Sequence, residues 1–282
     1  MTGREETRMG AKLDYNLYEL LAVNIARTFH DGDVGFTGMA TGSETAIFSS
    51  LVPLAAMGLA QKMQAPNMTI LLAGALHNPN FADMECVPDS ECEPLLAYMD
   101  CEAIMLSFPP PWSCDNGDVT CGFSGGAQVD KYGNMNSVCI GDYRHPKVRL
   151  VGPIFQTEHV VLFQREIIMM PHHDRRNFVE KVDYVSAVGW PGGAAGREAL
   201  GLKRGGPMWI VTPKCIFDFD IDSGRVRLKS VHPGVDRQEV IENTGFEILG
   251  VEEAGVTPEP TREELEILRN EVDPRGILIP RD

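Results

Sequence analysis

The stretch from Val34 to Leu72 constrains this chain most. Val34-Gly35-Phe36-Thr37-Gly38 reads as a short apolar strand ending in a glycine turn. Ser43 or Thr45 can cap the apolar helix that comes next, which runs to about Lys62, and Met68 to Leu72 forms a second apolar strand. Strand, glycine turn and helix make a βα unit. A strand that is apolar at every position needs cover on both faces, which a parallel sheet flanked by helices supplies. Further apolar runs at Ala103 to Phe108, Phe123 to Val129, Glu166 to Met170 and Met208 to Pro213 extend the expectation to a mainly parallel sheet. An amphipathic helix over Tyr15 to Phe29 precedes it, stopped by Gly32. Between Ile216 and Val231 two alternating runs flank Asp222-Ser223-Gly224, which predicts a small antiparallel C-terminal hairpin at the sheet edge. The tail helix opens on a capping box, Thr261 to Glu264, carries Leu265 and Leu268 on one face and stops at Pro274.

With 282 residues at 43% hydrophobic content, the chain can bury a sizeable core. A single domain over residues 1–282 is expected, with residues 1–14 as a flexible N-terminal tail. Lysine and arginine total 25 against 40 acidic residues, a net charge of −15. Such a surface repels phosphate backbones and anionic lipid, so no nucleic acid and no membrane is expected as a partner. The N-terminus is charged where a secretory signal is apolar, and Ser49, Ser50 and Pro53 interrupt the apolar stretch Ala46 to Ala60. A cytoplasmic protein without a transmembrane helix is the expectation.

Five of the seven cysteines, Cys86, Cys92, Cys101, Cys114 and Cys121, fall in one stretch, separated by five, eight, twelve and six residues. No C-x-x-C occurs and these intervals match no tetrahedral zinc pattern, so no metal is expected and buried free thiols are favoured. The adjacent pair His172-His173 lacks two further ligands and reads as a polar helix start. Gly122-Phe123-Ser124-Gly125-Gly126 matches the G-x-S-x-G nucleophile elbow, which requires a helix to begin at once. The residues after it, Ala127 to Asn134, read instead as strand and turn, so Ser124 is incidental. Two adjacent glycines after a strand have another use: their amides can approach a ligand and face an oxygen that becomes negative during acyl transfer. Gly125, Gly126 and Ala127 are thus candidates for an oxyanion hole, or else form a tight turn that needs positive φ.

The run from Gly125 to Asn136, GGAQVDKYGNMN, resembles the glycine loop of the β-type subunit of family I CoA-transferases, glutaconate CoA-transferase among them. Ile140-Gly141-Asp142-Tyr143, His145-Pro146-Lys147, Ile167 to His172, Phe178 to Trp190, Gly196-Arg197-Glu198, Glu242 to Phe246 and Asp273-Pro274 continue the likeness in the same order. It spans roughly residues 15–278. The resemblance implies an open α/β fold of the CoA-transferase type and an α-type partner subunit in a heterodimer or α2β2 assembly. It further implies acyl-CoA substrates, with coenzyme A as substrate or carrier and no permanently bound cofactor. Carried over residue by residue, it assigns Gly125, Gly126 and Ala127 to the oxyanion amides. Gln128 lines the same loop, with Asn134 and Asn136 holding it, and Gly35 and Gly38 shape the wall facing the acyl group.

One departure matters for chemistry. Members of the family attack the thioester with a glutamate that lies just after the strand corresponding to Met68–Leu72. Here the sequence is Leu71-Leu72-Ala73-Gly74-Ala75-Leu76-His77, so Ala73 stands at the glutamate position, or Leu72 in the alternative register. Neither is a nucleophile, and no carboxylate occurs before Asp83. Three readings stay open: a hydrolase in which water replaces the glutamate and the α-type partner supplies a carboxylate base, resembling the actinobacterial cholesterol ring-degrading hydrolase; a true CoA-transferase whose carboxylate comes from elsewhere; and a non-catalytic scaffold subunit. His77 is a candidate for positioning water or donating a proton, against the alternative of a solvated loop histidine. The irregular region Asn78 to Asp118, with Phe108 to Trp112, is the expected seat of substrate selectivity or a structural plug.

Overall fold

In a computed structural model, residues 14–39, 43–72, 76–86, 99–104, 118–202 and 204–281 are described. Helix α1 (Leu17–Ala26) starts on the expected polar signal, with Asn16 and Glu19 forming a reciprocal capping box. Strand β1 (Val34–Thr37) feeds α2 (Ser43–Ala46), a π turn (Ile47–Leu51) and α3 (Val52–Met63). The π turn has a local cause. Pro53 has no N–H, so the ordinary helical bond to the Ser49 carbonyl cannot form and the turn before it widens. The helical stretch Glu44–Met63 is long and apolar enough to cross a membrane by composition, but its apolar window is 72% buried within the protein, as a core helix would be.

The central sheet has ten strands. To those above it adds β2 (Thr69–Leu72), β3 (Leu76–Pro79), β4 (Cys101–Ile104), β5 (Cys121–Ser124), β10 (Arg165–Met169), β11 (Pro207–Val211), β12 (Cys215–Asp220), β13 (Arg225–Val231) and β14 (Gly255–Val256). Two short ribbons stand apart: β6 (Gln128–Val129) with β7 (Met135–Asn136), and β8 (Cys139–Ile140) with β9 (Val148–Arg149). The order is β14-β13-β12-β11-β10-β5-β1-β2-β3-β4, and the centre from β11 to β2 is parallel, as the apolar runs require. The β12–β13 hairpin is antiparallel as expected, although β14 adds a parallel strand outside it. At the other end β3 and β4 pair antiparallel beyond β2. The run expected over Phe123 to Val129 is broken at Gly125–Ala127 into β5 and β6.

Helices α1 and α3 cover one face, packing Leu21, Leu54 and Met57 onto Ile70, Phe123 and Ile167. Helix α4 (Gln156–Leu162) lies against the other, where Phe36, Leu71, Val119 and Phe163 form a smaller cluster. The C-terminal half adds α5 (Gly193–Ala199) and α6 (Arg237–Asn243), and Val240 of α6 joins a second core with Ile168, Phe178 and Phe217. The chain ends return to each other. Helix α7 (Arg262–Ile267) and the π turn Leu268–Val272 lie over α1 and α3, with Arg269 Nε donating to Glu19 Oε1 at 2.6 Å and Arg27 Nε donating to Glu264 Oε1 at 2.7 Å. The expected surface helix is thus half core: Leu265 and Leu268 are buried.

Cys121, Cys139 and Cys215 are buried free thiols, and burial pushes Cys121 and Cys215 up to about 12. Cys86 is exposed, which corrects the expectation of uniform burial; Cys92 and Cys114 lie outside the described residues. The expected tail, residues 1–13 of it, and the Phe108–Trp112 segment also lie outside them.

His173, expected at a polar helix start, is buried in the C-terminal core. Its Nδ1 and Nε2 each sit 3.0 Å from a hydroxyl, of Thr212 and Thr244, and its ring stacks on Phe178 at 4.2 Å. Burial depresses its pKa from 6.5 to about 3. Between those values the unfolded chain holds the proton that the folded chain refuses, so stability is present above pH 6.5 and is lost as pH falls. Urea unfolding at pH 7, 6 and 5 is expected to show a loss of about 1.4 kcal/mol per pH unit below 6.5 that His173→Asn removes. An unchanged slope in that variant would refute the assignment.

Candidate active site at the carboxyl ends of the strands

The chain leaves β1 on one side for β2, β3 and β4 and returns on the other side as β5, so the sheet reverses direction between β1 and β5. Ligands of open α/β sheets bind in the crevice outside the carboxyl ends of the strands at such a switch point. Gly38 comes directly after β1 there, and Gly125-Gly126-Ala127 directly after β5.

Neither Gly125 nor Gly126 has positive φ, so the turn alternative falls; close approach is what requires them. A Cβ on Gly125 would stand 2.6 Å from the Met169 carbonyl oxygen at the end of β10. One on Gly126 would stand 3.1 Å from the Asn136 oxygen. The Gly125 carbonyl is pinned by Gln156 Nε2 and by Ser137 Oγ, the latter at 3.3 Å. The Ala127 amide donates to the Asn136 carbonyl at 2.9 Å. It is therefore spent, which corrects its assignment as an oxyanion donor. The Gly125 and Gly126 amides make no hydrogen bond among the described residues and are the free donors of the loop.

The polar residues of the loop brace it. Gln128 Nε2 donates to Asp183 Oδ2 at 3.1 Å, while Gln128 Oε1 accepts from Asn136 Nδ2 at 2.8 Å. Asn136 Nδ2 also donates to the Cys139 carbonyl at 2.6 Å, and Asn134 Nδ2 donates to both oxygens of Asp130. All three are buried, so Gln128, Asn134 and Asn136 support the loop and present no polar atom as a substrate contact. Gly35 is corrected too: a Cβ there would meet Met57 and Met68 in the core beneath α3, away from any acyl wall.

His77 lies on β3 and not in a loop, opposite Leu71 and Ala103, half-buried, with its pKa lowered by burial against a smaller opposing effect of Glu102. It stands two strands from β1. Ala73 lies outside the described residues; its sequence neighbour Leu72 pairs with Thr37 at the end of β1. Ser124 is buried and its hydroxyl contacts the Met135 thioether at 3.6 Å, with no histidine partner among the described residues.

Sequence reasoning missed Ser49. Its hydroxyl, on the π turn, is buried without a partner and sits 3.6 Å from where a Gly125 Cβ would be. The interruption at Pro53 was its one visible signal. The carboxylates around the loop are engaged: Asp130 by Asn134, Asp183 by Gln128 and the Gly141 amide, Asp174 by Arg176, and Glu180 by Lys131. Among the described residues no group of three or more metal-ligating side chains converges. The arrangement offers an oxyanion donor among paired carboxylates, while Glu158, on the helix whose Gln156 pins the loop, keeps a buried Oε2 without a partner.

Residues 114–243 match the family model described as coenzyme A transferase. The β-type subunit of glutaconate CoA-transferase from Acidaminococcus fermentans is 33% identical over 94% of this chain and 97% of its own length. The cholesterol ring-cleaving hydrolase IpdB subunit of Rhodococcus jostii is 34% identical over 54% of this chain and 59% of its own. Among solved structures, glutaconate coenzyme A-transferase from A. fermentans superposes with a TM-score of 0.77 at 31% identity, covering 95% of this chain and 99% of that one. Rhodococcus jostii RHA1 IpdAB superposes at 0.74 with 26% identity, covering 94% and 98%.

Proposed function

Since this chain belongs to the coenzyme A transferase family as a β-type subunit, we propose that it works with an α-type partner on acyl-CoA thioesters and that the reaction is hydrolysis. The observation that carries the reading is the free Gly126 amide after β5, on a loop where Asp130 is held by Asn134 and Asp183 by Gln128. With alanine at residue 73, the covalent route through a glutamyl intermediate has no nucleophile on this strand. Water takes its place. A carboxylate of the α-type partner accepts a proton from water while the water oxygen bonds to a ring ketone carbon β to the thioester of a cyclic acyl-CoA, and the ketone electron pair moves onto the oxygen facing Gly126. Collapse of that adduct to a carboxylic acid breaks the ring bond between the former ketone carbon and the thioester α-carbon, and the α-carbon, released as the thioester enolate, takes up the proton. The naming of the IpdB relatives as ring-cleaving hydrolases supports this choice. Coenzyme A serves as substrate or carrier.

A second reading, CoA transfer, is favoured by one residue. Glu44 is exposed in the first turn of α2, directly after the loop that leaves β1. The two readings separate in ¹⁸O-water. Assembled with its α-type subunit and given a panel of acyl-CoAs, the enzyme is expected to place solvent oxygen in the product and to form no CoA adduct on protein. A glutamyl-CoA adduct with no solvent oxygen incorporated would replace hydrolysis by transfer and put Glu44 first among the nucleophiles.

A further inference from the structure

Of the eleven large hydrophobic side chains exposed among the described residues, six stand together: Tyr143, Val148, Val151, Ile154, Tyr184 and Val185. Val151 is 86% exposed and Ile154 79%, extremes for aliphatic side chains. Three contacts make them one surface. The Tyr143 and Tyr184 rings stack at 5.2 Å, Thr157 Oγ1 donates to the Ser186 carbonyl at 2.7 Å, and the Gly152 amide donates to the Ser137 carbonyl at 2.8 Å. Ile154 is held at φ 47°, a left-handed conformation that a β-branched residue resists, with its side chain turned to solvent. Neither core packing nor solvation explains an isoleucine there.

The same segment borders the candidate site, since Ser137 and Gln156 both donate to the Gly125 carbonyl. A body seated on the patch would sit at the mouth of the crevice. The patch also carries Arg144, Lys147 and Arg149, all exposed, on a chain of net charge −15. Aromatic and aliphatic anchors fringed by arginine are the composition of a protein interface. We infer that this surface is where the α-type subunit docks, by a face with an apolar centre and an acidic rim, which brings its carboxylate to the Gly126 amide. The inference rests on the two-subunit reading above.

The test pairs this chain with the α-type subunit encoded in the same genome and measures association by sedimentation and titration calorimetry. Val151→Glu combined with Ile154→Glu is expected to weaken the complex roughly 100-fold with the circular dichroism and melting temperature of the free chain unchanged. Arg144→Glu with Lys147→Glu, fully on the surface, is expected to weaken it and to reduce its salt sensitivity. Val256→Glu, exposed on β14 at the far edge of the sheet, is expected to leave it intact. If the patch variants bind as the parent does, if Val256→Glu alone disrupts the complex, or if the patch instead drives self-association, the docking assignment is overturned. If the unaltered chain fails to bind the α-type subunit at all, the two-subunit reading falls first.

Discussion

Gly125→Ala is expected to lower turnover by the assembled enzyme about 100-fold, because a displacement of about 1 Å at the reacting centre is enough for a loss of that size. The cause is local and steric. The added methyl group would stand 2.6 Å from a backbone oxygen, that of Met169, so β5 and β10 must part or the loop must lift. Lifting it drags the Gly125 carbonyl from Gln156 and Ser137 and moves the adjacent Gly126 amide off its line. A stability cost of roughly 1–3 kcal/mol is expected alongside, as for other overpacked sites. Steady-state kinetics and thermal melting on the same preparation separate the two effects. Turnover within threefold of the parent would mean that the reacting carbonyl does not lie against this loop.

Arg197→Ala is expected to destabilise the fold by about 3–5 kcal/mol, the range seen when a buried hydrogen-bonded charge network loses a member. Arg197, on α5, is only 2% exposed and donates to four backbone carbonyls: Val188 and Gly189 through Nη1, Val160 and Arg204 through Nη2, at 2.6–3.2 Å. Its guanidinium lies 5.0 Å from the centre of the Trp190 ring. Burial lowers its pKa to about 10. Removing the side chain strands three acceptors at once, the Val160 carbonyl keeping the Gly206 amide as a donor, and lysine cannot reach all four because it has no planar fork. Urea unfolding of Arg197→Ala and Arg197→Lys checks this; a loss under 1 kcal/mol in the alanine variant would mean that water replaces the guanidinium.

These two residues mark how far the sequence could be read. The unit from Val34 to Leu72 and the β12–β13 hairpin were legible because periodicity and turn chemistry act over short distances. The glycines 125 and 126 were legible as a site, but the reason was not: close approach to Met169 depends on a contact 44 residues away in sequence. The partners that occupy Gln128 and Asn134 were hidden for the same cause, since Asp183 and the Gly189 amide lie 55 residues downstream. Strand β3 carries His77, Asn78 and Pro79, which no strand pattern would select, and its pairing comes from β2 offering an open edge; β4 overlaps the apolar run expected from Ala103 but starts two residues earlier and pairs antiparallel. The Ser49 hydroxyl became visible only once the π turn placed it beside Gly125.

The clasp between the two ends of the chain sets a schedule for synthesis. Glu19 and its partner Arg269 are 250 residues apart. At roughly 5–20 residues per second, a ribosome needs about 12–50 s to pass from one to the other. Throughout that interval α1, buried along most of its length in the finished protein, waits without the cover that Leu268, Val272, Leu278 and Ile279 provide. A nascent chain in this state presents an unclosed apolar surface to chaperones, and truncation before Leu268 would leave it unclosed for good.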